Sequence, residues 1–216
     1  MKKGLFITFE GPEGGGKTTQ VQRFIQKLRD AGHQVTQTRE PGGTEISEKI
    51  RGILLDPDHH AMDHRTEMLL YAASRAQHVS QVIRPALEQG NIVVCDRFID
   101  ASIAYQGYGL GISVEDIIRI NAMATENIAP DLTYLLDLPV ELGMQRIGEK
   151  RGHNEDLQKV GLDRIESKAY AYHQKVRNGF LKIAEEQSER VVVIDATKDV
   201  ETIEAAIWEH FRANHS

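Results

Sequence analysis

The sequence predicts an α/β fold, a parallel sheet with helices on both faces. Five short β-rich runs, "LFITFE", "HQVTQTRE", "NIVVCDRF", "DLTYLLDLP" and "RVVVID", alternate with segments of helical period. Several of these runs are almost continuously apolar, as strands covered on both faces must be. The 216 residues and 40% hydrophobic content suffice for one large core. Repeats, low-complexity tracts and Pro/Gly/Ser-rich linkers are missing, so residues 1–216 read as a single domain.

The elements follow in order. After "LFITFE", Lys17 to Arg29 places Val21, Phe24, Ile25 and Leu28 on one helical face. Strand two closes at Arg39. A helix from Glu45 to Leu55 stops where Asp56-Pro57 follows. A long periodic segment, Thr66 to Glu88, reads as one helix. Strand three carries Cys95 in an apolar run, the setting of a core thiol. Ser113 caps a helix reaching Glu126. Strand four ends at Asp137, which reads as a structural turn residue because Leu138-Pro139 follow. Helices over Val140–Lys150, Leu162–Glu186 and Val200–Phe211 complete the pattern, with Trp208 and Phe211 docking the last one. The polar stretch 148–161 reads either as a solvated loop or as part of a mobile lid spanning about 146–164.

A net charge of −6 offers no global basic field, so nucleic acid and anionic membranes are not expected partners. A single cysteine excludes an internal disulfide and suits a reducing compartment. The apolar stretch before Glu10 is too short for a signal peptide, and no run approaches a membrane span. The expectation is a soluble, cytoplasmic protein. His59, His60 and His64 sit together in "DPDHHAMDH", but between two helices and without catalytic context they read as a solvated loop.

"GPEGGGKT", residues 11–18, supplies the chemistry. Gly11, Gly16, Lys17 and Thr18 match the phosphate-binding loop pattern in its required strand–loop–helix setting, with Pro12, Glu13, Gly14 and Gly15 between. Glycines let successive N–H groups turn inward around phosphate oxygens, and the helix starting near Lys17 aims its positive end at them. Lys17 is expected on the β- and γ-phosphates of ATP and the Thr18 hydroxyl on Mg²⁺. The Asn-Lys-x-Asp and Asp-x-x-Gly strings of GTPases do not occur.

In open α/β sheets, ligands sit beyond the carboxyl ends of strands. Arg39 and Arg97 close strands two and three, which suggests a second anionic substrate facing the γ-phosphate. Asp96 at the end of strand three is placed to hold Mg²⁺ directly or through water. Tyr71 and Arg75, four residues apart, share a helical face and would together clamp a nucleobase. On spacing alone, a core tyrosine beside an unrelated arginine is the commoner outcome.

Taken together, "FEGPEGGGKTT", "TREPGGT", "LYAASRAQH", "CDRFIDASIAYQGYG", "PDLTYLLDLP" and "LDRIE" resemble the bacterial thymidylate kinases, in the order of that family and across residues 5–167. The resemblance implies a P-loop sheet of strand order 2-3-1-4-5 and a homodimer formed by helix packing. It implies transfer of the γ-phosphoryl group of ATP to deoxythymidine monophosphate (dTMP), giving the diphosphate, in dTTP biosynthesis. Arg39, Arg51 and Arg97 would hold the monophosphate, with Glu13 near the 3′-hydroxyl or phosphate. Tyr71 would stack on thymine, Arg75, Ser102 and Gln106 would bond its edge, and Tyr105 would lie under the sugar. Some members carry an arginine directly after the acidic loop residue, where this chain has Gly14. Such a chain would draw charge from its lid, with Arg146, Lys150, Arg151 and Arg164 as candidates and Arg151 preferred. Two rivals are another monophosphate or nucleoside kinase of this fold and a non-catalytic nucleotide-binding protein.

Overall fold

The computed structural model describes residues 4–152 and 162–215, with side chains through residue 149 in the first stretch. Five strands form one sheet: β1 (Leu5–Glu10), β2 (Val35–Arg39), β3 (Ile92–Asp96), β4 (Leu132–Asp137) and β5 (Val191–Asp195). Their order is β2-β3-β1-β4-β5, and every neighbouring pair is parallel. Central β1 sets Phe9 beside Asp96 of β3 and beside Tyr134 of β4. The carboxyl ends of β1 and β3 therefore lie side by side.

Alternate residues of the strands feed opposite cores, as a period of two requires. On one face Ile7, Phe9 and Tyr134 meet Phe24 and Leu28 of α1 (Lys17–Asp30) and Ile207 and Phe211 of the last helix. On the other, Phe6 and Val93 join one cluster with Phe98, and Leu135 joins another with Phe180. Phe24 lies 5.2 Å from Phe211 and 6.3 Å from Trp208, centroid to centroid, so those two aromatics dock the terminal helix as expected. Cys95 is wholly buried, a core thiol. His59, His60 and His64 are exposed.

The helices are α2 (Glu45–Leu55), α3 (His64–His78), α4 (Arg84–Glu88), α5 (Ile99–Ser102), α6 (Val114–Thr125), α7 (Val140–Gly152), α8 (Tyr170–Glu186) and α9 (Val200–His215). Ser113 caps α6 by accepting from the Asp116 N–H at 3.3 Å. Three expectations need correction. The segment read as one helix over Thr66–Glu88 begins earlier, at His64, and a π-helical turn over Val79–Ile83 divides it into α3 and α4. Pro85 explains the division: it has no N–H, and its ring would strike the carbonyl four residues back, so the ladder widens there. The helix expected from Leu162 is interrupted: Asp163 and Glu166 cap a single turn, Ala169 is then extended (ψ 151°), and the regular helix begins at Tyr170. Residues Ile99–Gly109, for which the sequence predicts no element, form α5 followed by a π-helical run. Among the described residues no helix is long and apolar enough to cross a membrane.

Candidate active site

The loop between β1 and α1 turns on Gly14 (φ 74°) and Gly16 (φ 81°), left-handed conformations that side chains disfavour. Lys17 folds back over it. Its Nζ donates to the carbonyls of Gly11 at 3.1 Å and Pro12 at 2.9 Å. Burial, and then the neighbouring Arg97 charge, lower its pKa to about 8. The Thr18 hydroxyl donates to Asp96 Oδ2 at 3.0 Å, joining the start of α1 to the end of β3. Two hard oxygen donors beside a phosphate loop fit Mg²⁺, which keeps few protein ligands and relies on phosphate oxygens for others.

Arg97 follows β3 with φ 69°, in the left-handed region where a non-glycine residue is strained. The turn is held from both sides. The Arg97 N–H donates to the Phe9 carbonyl at 3.0 Å, and Glu10 Oε1 accepts from the Phe98 N–H at 2.7 Å. The conformation aims the guanidinium back at the loop, where it donates to the Gly11 carbonyl at 2.9 Å and Glu13 Oε1 at 2.7 Å. It also lies 4.9 Å from the Tyr105 ring, whose hydroxyl donates to the same Glu13 oxygen at 2.8 Å. Burial works to raise the Glu13 pKa, but Arg97, Lys17 and the Tyr105 bond outweigh it and hold the group near 2. Glu13 is therefore anionic at neutral pH.

Glu10 is fully buried, and its Oε2 has no hydrogen-bond partner among the described residues. Burial, then the nearby Asp100 charge, push its pKa up to about 8. The site thus favours the protonated form of the group that supports the Arg97 turn.

Two cavities open at this end of the sheet. The larger, about 870 Å³, runs along the loop past Lys17, Thr18, Asp96 and Arg146. The smaller, about 120 Å³, is walled by Leu55, Tyr71, Phe98, Tyr105 and Ile165. Both touch Glu13, Glu40, Arg51 and Arg97, so they meet there. Arg39 lines the larger cavity, with Nη2 shared between the two Glu48 oxygens at 3.0 Å each. Arg51 donates to the Pro41 carbonyl at 2.9 Å, and burial together with the Arg39 charge lowers its pKa.

Tyr71, Arg75, Ser102 and Gln106 all line the smaller cavity, so the α3 pair does face one site. Arg75 is only 2% exposed and mostly committed within the protein. It donates to Glu40 Oε2 at 2.7 Å, Ser102 Oγ at 2.9 Å, Asn121 Oδ1 at 2.5 Å and the Phe98 carbonyl at 3.0 Å. Glu40 also contacts His78 Nδ1 at 2.9 Å, and the far ring nitrogen meets Thr38 Oγ1 at 2.5 Å. Gln106 donates its amide N–H to Glu67 Oε1 at 2.9 Å.

The basic residues considered for the missing loop charge separate clearly. Arg146 lines the larger cavity and donates to the Ala196 carbonyl at 3.0 Å and, more weakly, to Gly14 at 3.5 Å. Arg164 is buried, donating to the Leu54 carbonyl at 2.8 Å and pairing with Glu67 at 2.7 Å, so it is anchored away from the phosphate loop. That removes it from the candidates. The side chains of Lys150 and Arg151 lie outside the described residues, as does most of the stretch read as a lid. Asp137 is a structural residue, bound by both arms of Arg177 at 2.7 and 2.8 Å.

Sequence reasoning missed Glu10, Glu40 and Glu67, the buried carboxylates that hold Arg97, Arg75 and Gln106 in place. Glu10 and Glu67 sit in or beside apolar runs and Glu40 in a polar turn, and nothing in spacing separates such residues from solvated ones.

A family model described as thymidylate kinase matches residues 9–207. The thymidylate kinase of Exiguobacterium sibiricum is 49% identical over 94% of this chain and 92% of its own. That of Geotalea uraniireducens is 48% identical over 94% of each. The crystal structure of thymidylate kinase from Ehrlichia chaffeensis superposes with a TM-score of 0.76 at 32% identity, covering 97% of this chain and 99% of that one. With the phosphate loop, the Arg97 turn and the paired cavities in place, the chain belongs to the thymidylate kinase family.

Proposed function

We propose that the larger cavity takes ATP with its phosphates in the loop, that the smaller takes dTMP, and that the γ-phosphoryl group passes between them at their junction. The product is the diphosphate. The observation that carries this reading is the junction itself: two cavities meet at two arginines, Arg51 and Arg97, beside the phosphate loop. Family membership supports the same reaction.

Phosphoryl transfer asks the protein for alignment and charge compensation rather than covalent chemistry. Lys17 releases its loop carbonyls and takes the β- and γ-phosphates. Arg97, aimed by its turn and by Glu13, neutralises charge at the junction. Arg39 and Arg51 hold the monophosphate. Tyr71 stacks on the base, while Arg75, Ser102 and Gln106 present polar groups to its edge. Glu13 and Tyr105 border the sugar, where close packing favours a deoxyribose. Thr18 and Asp96 would hold Mg²⁺, which would supply positive charge beside the phosphates. On sequence grounds alone, Arg151 is kept as the donor that compensates for Gly14.

ADP release measured across deoxynucleoside monophosphates tests this reading. The rate with dTMP should exceed those with the purine monophosphates by orders of magnitude, and equal rates would contradict it. We also propose a cytoplasmic homodimer. Ile46 and Ile53 on α2, Leu69 on α3, and Ile118 and Met123 on α6 are exposed on three helices packed side by side. Sedimentation should give twice the 24.3 kDa chain mass.

A further inference from the structure

Glu67 lines neither cavity, yet it bonds Gln106, which lines the smaller one. It is wholly buried at the start of α3. One oxygen accepts from Gln106 Nε2 at 2.9 Å and the other pairs with Arg164 at 2.7 Å. A carboxylate can only accept hydrogen bonds, so a glutamine beside it must turn its NH₂ group that way. The amide oxygen then diverges from Glu67, and Gln106 is a wall of the cavity. The cavity is offered an acceptor.

Arg75 supplies the complementary group. A guanidinium carries about five N–H donors, and four are spent on Glu40, Ser102, Asn121 and the Phe98 carbonyl. The remaining N–H is on Nη2, and Arg75 also lines the cavity. One donor beside one acceptor matches a base edge with a carbonyl next to a ring N–H. Thymine and uracil have that edge. Cytosine reverses it, with an amino group beside an unprotonated ring nitrogen.

We propose that Glu67 is a positioning residue that sets base preference by locking the Gln106 amide, so that the cavity rejects cytosine. This rests on the smaller cavity being the monophosphate site. Turning the amide over to suit cytosine would set its carbonyl against the Glu67 carboxylate, losing a charge-assisted bond and adding repulsion. Arg164, paired with the other Glu67 oxygen, fixes the carboxylate from the other side.

Glu67→Gln reverses the lock, because Arg164 can only donate and so holds the new amide's oxygen, leaving its NH₂ group facing Gln106. The kcat/KM preference for dTMP over dCMP should fall about 10- to 100-fold. The preference for dTMP over dUMP, which share that edge, should not change. Glu67→Asp, still an acceptor only, should retain most of the discrimination. Unchanged dTMP/dCMP preference in Glu67→Gln would overturn the inference while leaving the proposed function intact. Equal use of dTMP and dCMP by the wild type would overturn both. A parallel fall in both preferences would mark a loosened cavity and also overturn it. The wild type gives a check that needs no variant. In ¹⁵N-glutamine-labelled protein, the Gln106 amide protons should stay protected from exchange whether or not dTMP is bound. Loss of that protection on binding would show the nitrogen turned to the base, which contradicts the lock.

Discussion

Gly14 and Gly143 pack backbone to backbone: a Cβ on Gly14 would lie 2.5 Å from the Gly143 carbonyl oxygen, and a Cβ on Gly143 would lie 2.5 Å from that of Glu13. The phosphate loop is thus braced against α7. With φ at 74°, Gly14 is also conformationally closed to most side chains. An arginine there, as some family members carry, would have to push α7 away. Gly14→Arg is therefore expected to cost about 1–3 kcal/mol of stability and to lower turnover rather than add a useful charge. Thermal melts and steady-state rates check this. Full activity in Gly14→Arg would contradict the packing argument.

Lys17 has a pKa of about 8 in the free protein. Phosphates arriving beside it favour the charged form, so ATP should draw a proton onto Lys17 when the pH is above that value. Calorimetry at pH 8.5 in buffers of differing ionisation enthalpy should show net proton uptake, and at pH 6.5 almost none. In Lys17→Ala the uptake should vanish together with turnover, while dTMP binding persists.

Arg75→Ala should do more than weaken base binding. Removing the guanidinium leaves Glu40, 5% exposed, without its main partner. Breaking a buried pair in this way costs about 3–5 kcal/mol. Urea denaturation should show a loss of that order, with a raised KM for dTMP in whatever protein folds. A loss confined to KM would mean that the Glu40 network carries no structural load.

Glu10 gives a pH signature. Its folded pKa of about 8 lies above its ordinary 4.5, so the fold favours the protonated group. That contribution is fully present below pH 4.5 and is lost as the pH rises through 8. Glu10→Gln still accepts from the Phe98 N–H but does not titrate. Melting temperatures of the wild type should fall between pH 6 and 9 relative to those of Glu10→Gln. Parallel curves would contradict the assignment.

The fold was legible because its signals are local. Apolar runs and glycine-rich punctuation marked all five strands, and helical period marked most helices. The π-helical turn before Pro85 was hidden because the apolar period continues across it. The break before Tyr170 was hidden because no breaker residue marks it: an alanine, Ala169, takes up the extended backbone there. At the candidate site, residues in a distinctive motif or at a strand end stood out in the sequence, among them Lys17, Thr18 and Arg97. Glu10, Glu40 and Glu67 were not, since their importance comes from burial and from partners far away in the chain: Glu67 with Gln106 and Arg164, Glu40 with Arg75, Glu10 with Phe98. Arg164 shows the converse, a basic residue at the edge of the expected lid whose partners anchor it elsewhere.

The junction of the two cavities is most directly tested by following the transferred group. Protein is incubated with γ-³²P-labelled ATP and unlabelled dTMP, and the products are separated. The account predicts label in the β-phosphate of dTDP, at one equivalent per ADP released, with inorganic phosphate a minor product. Label released chiefly as inorganic phosphate, with dTMP recovered unchanged, would contradict it.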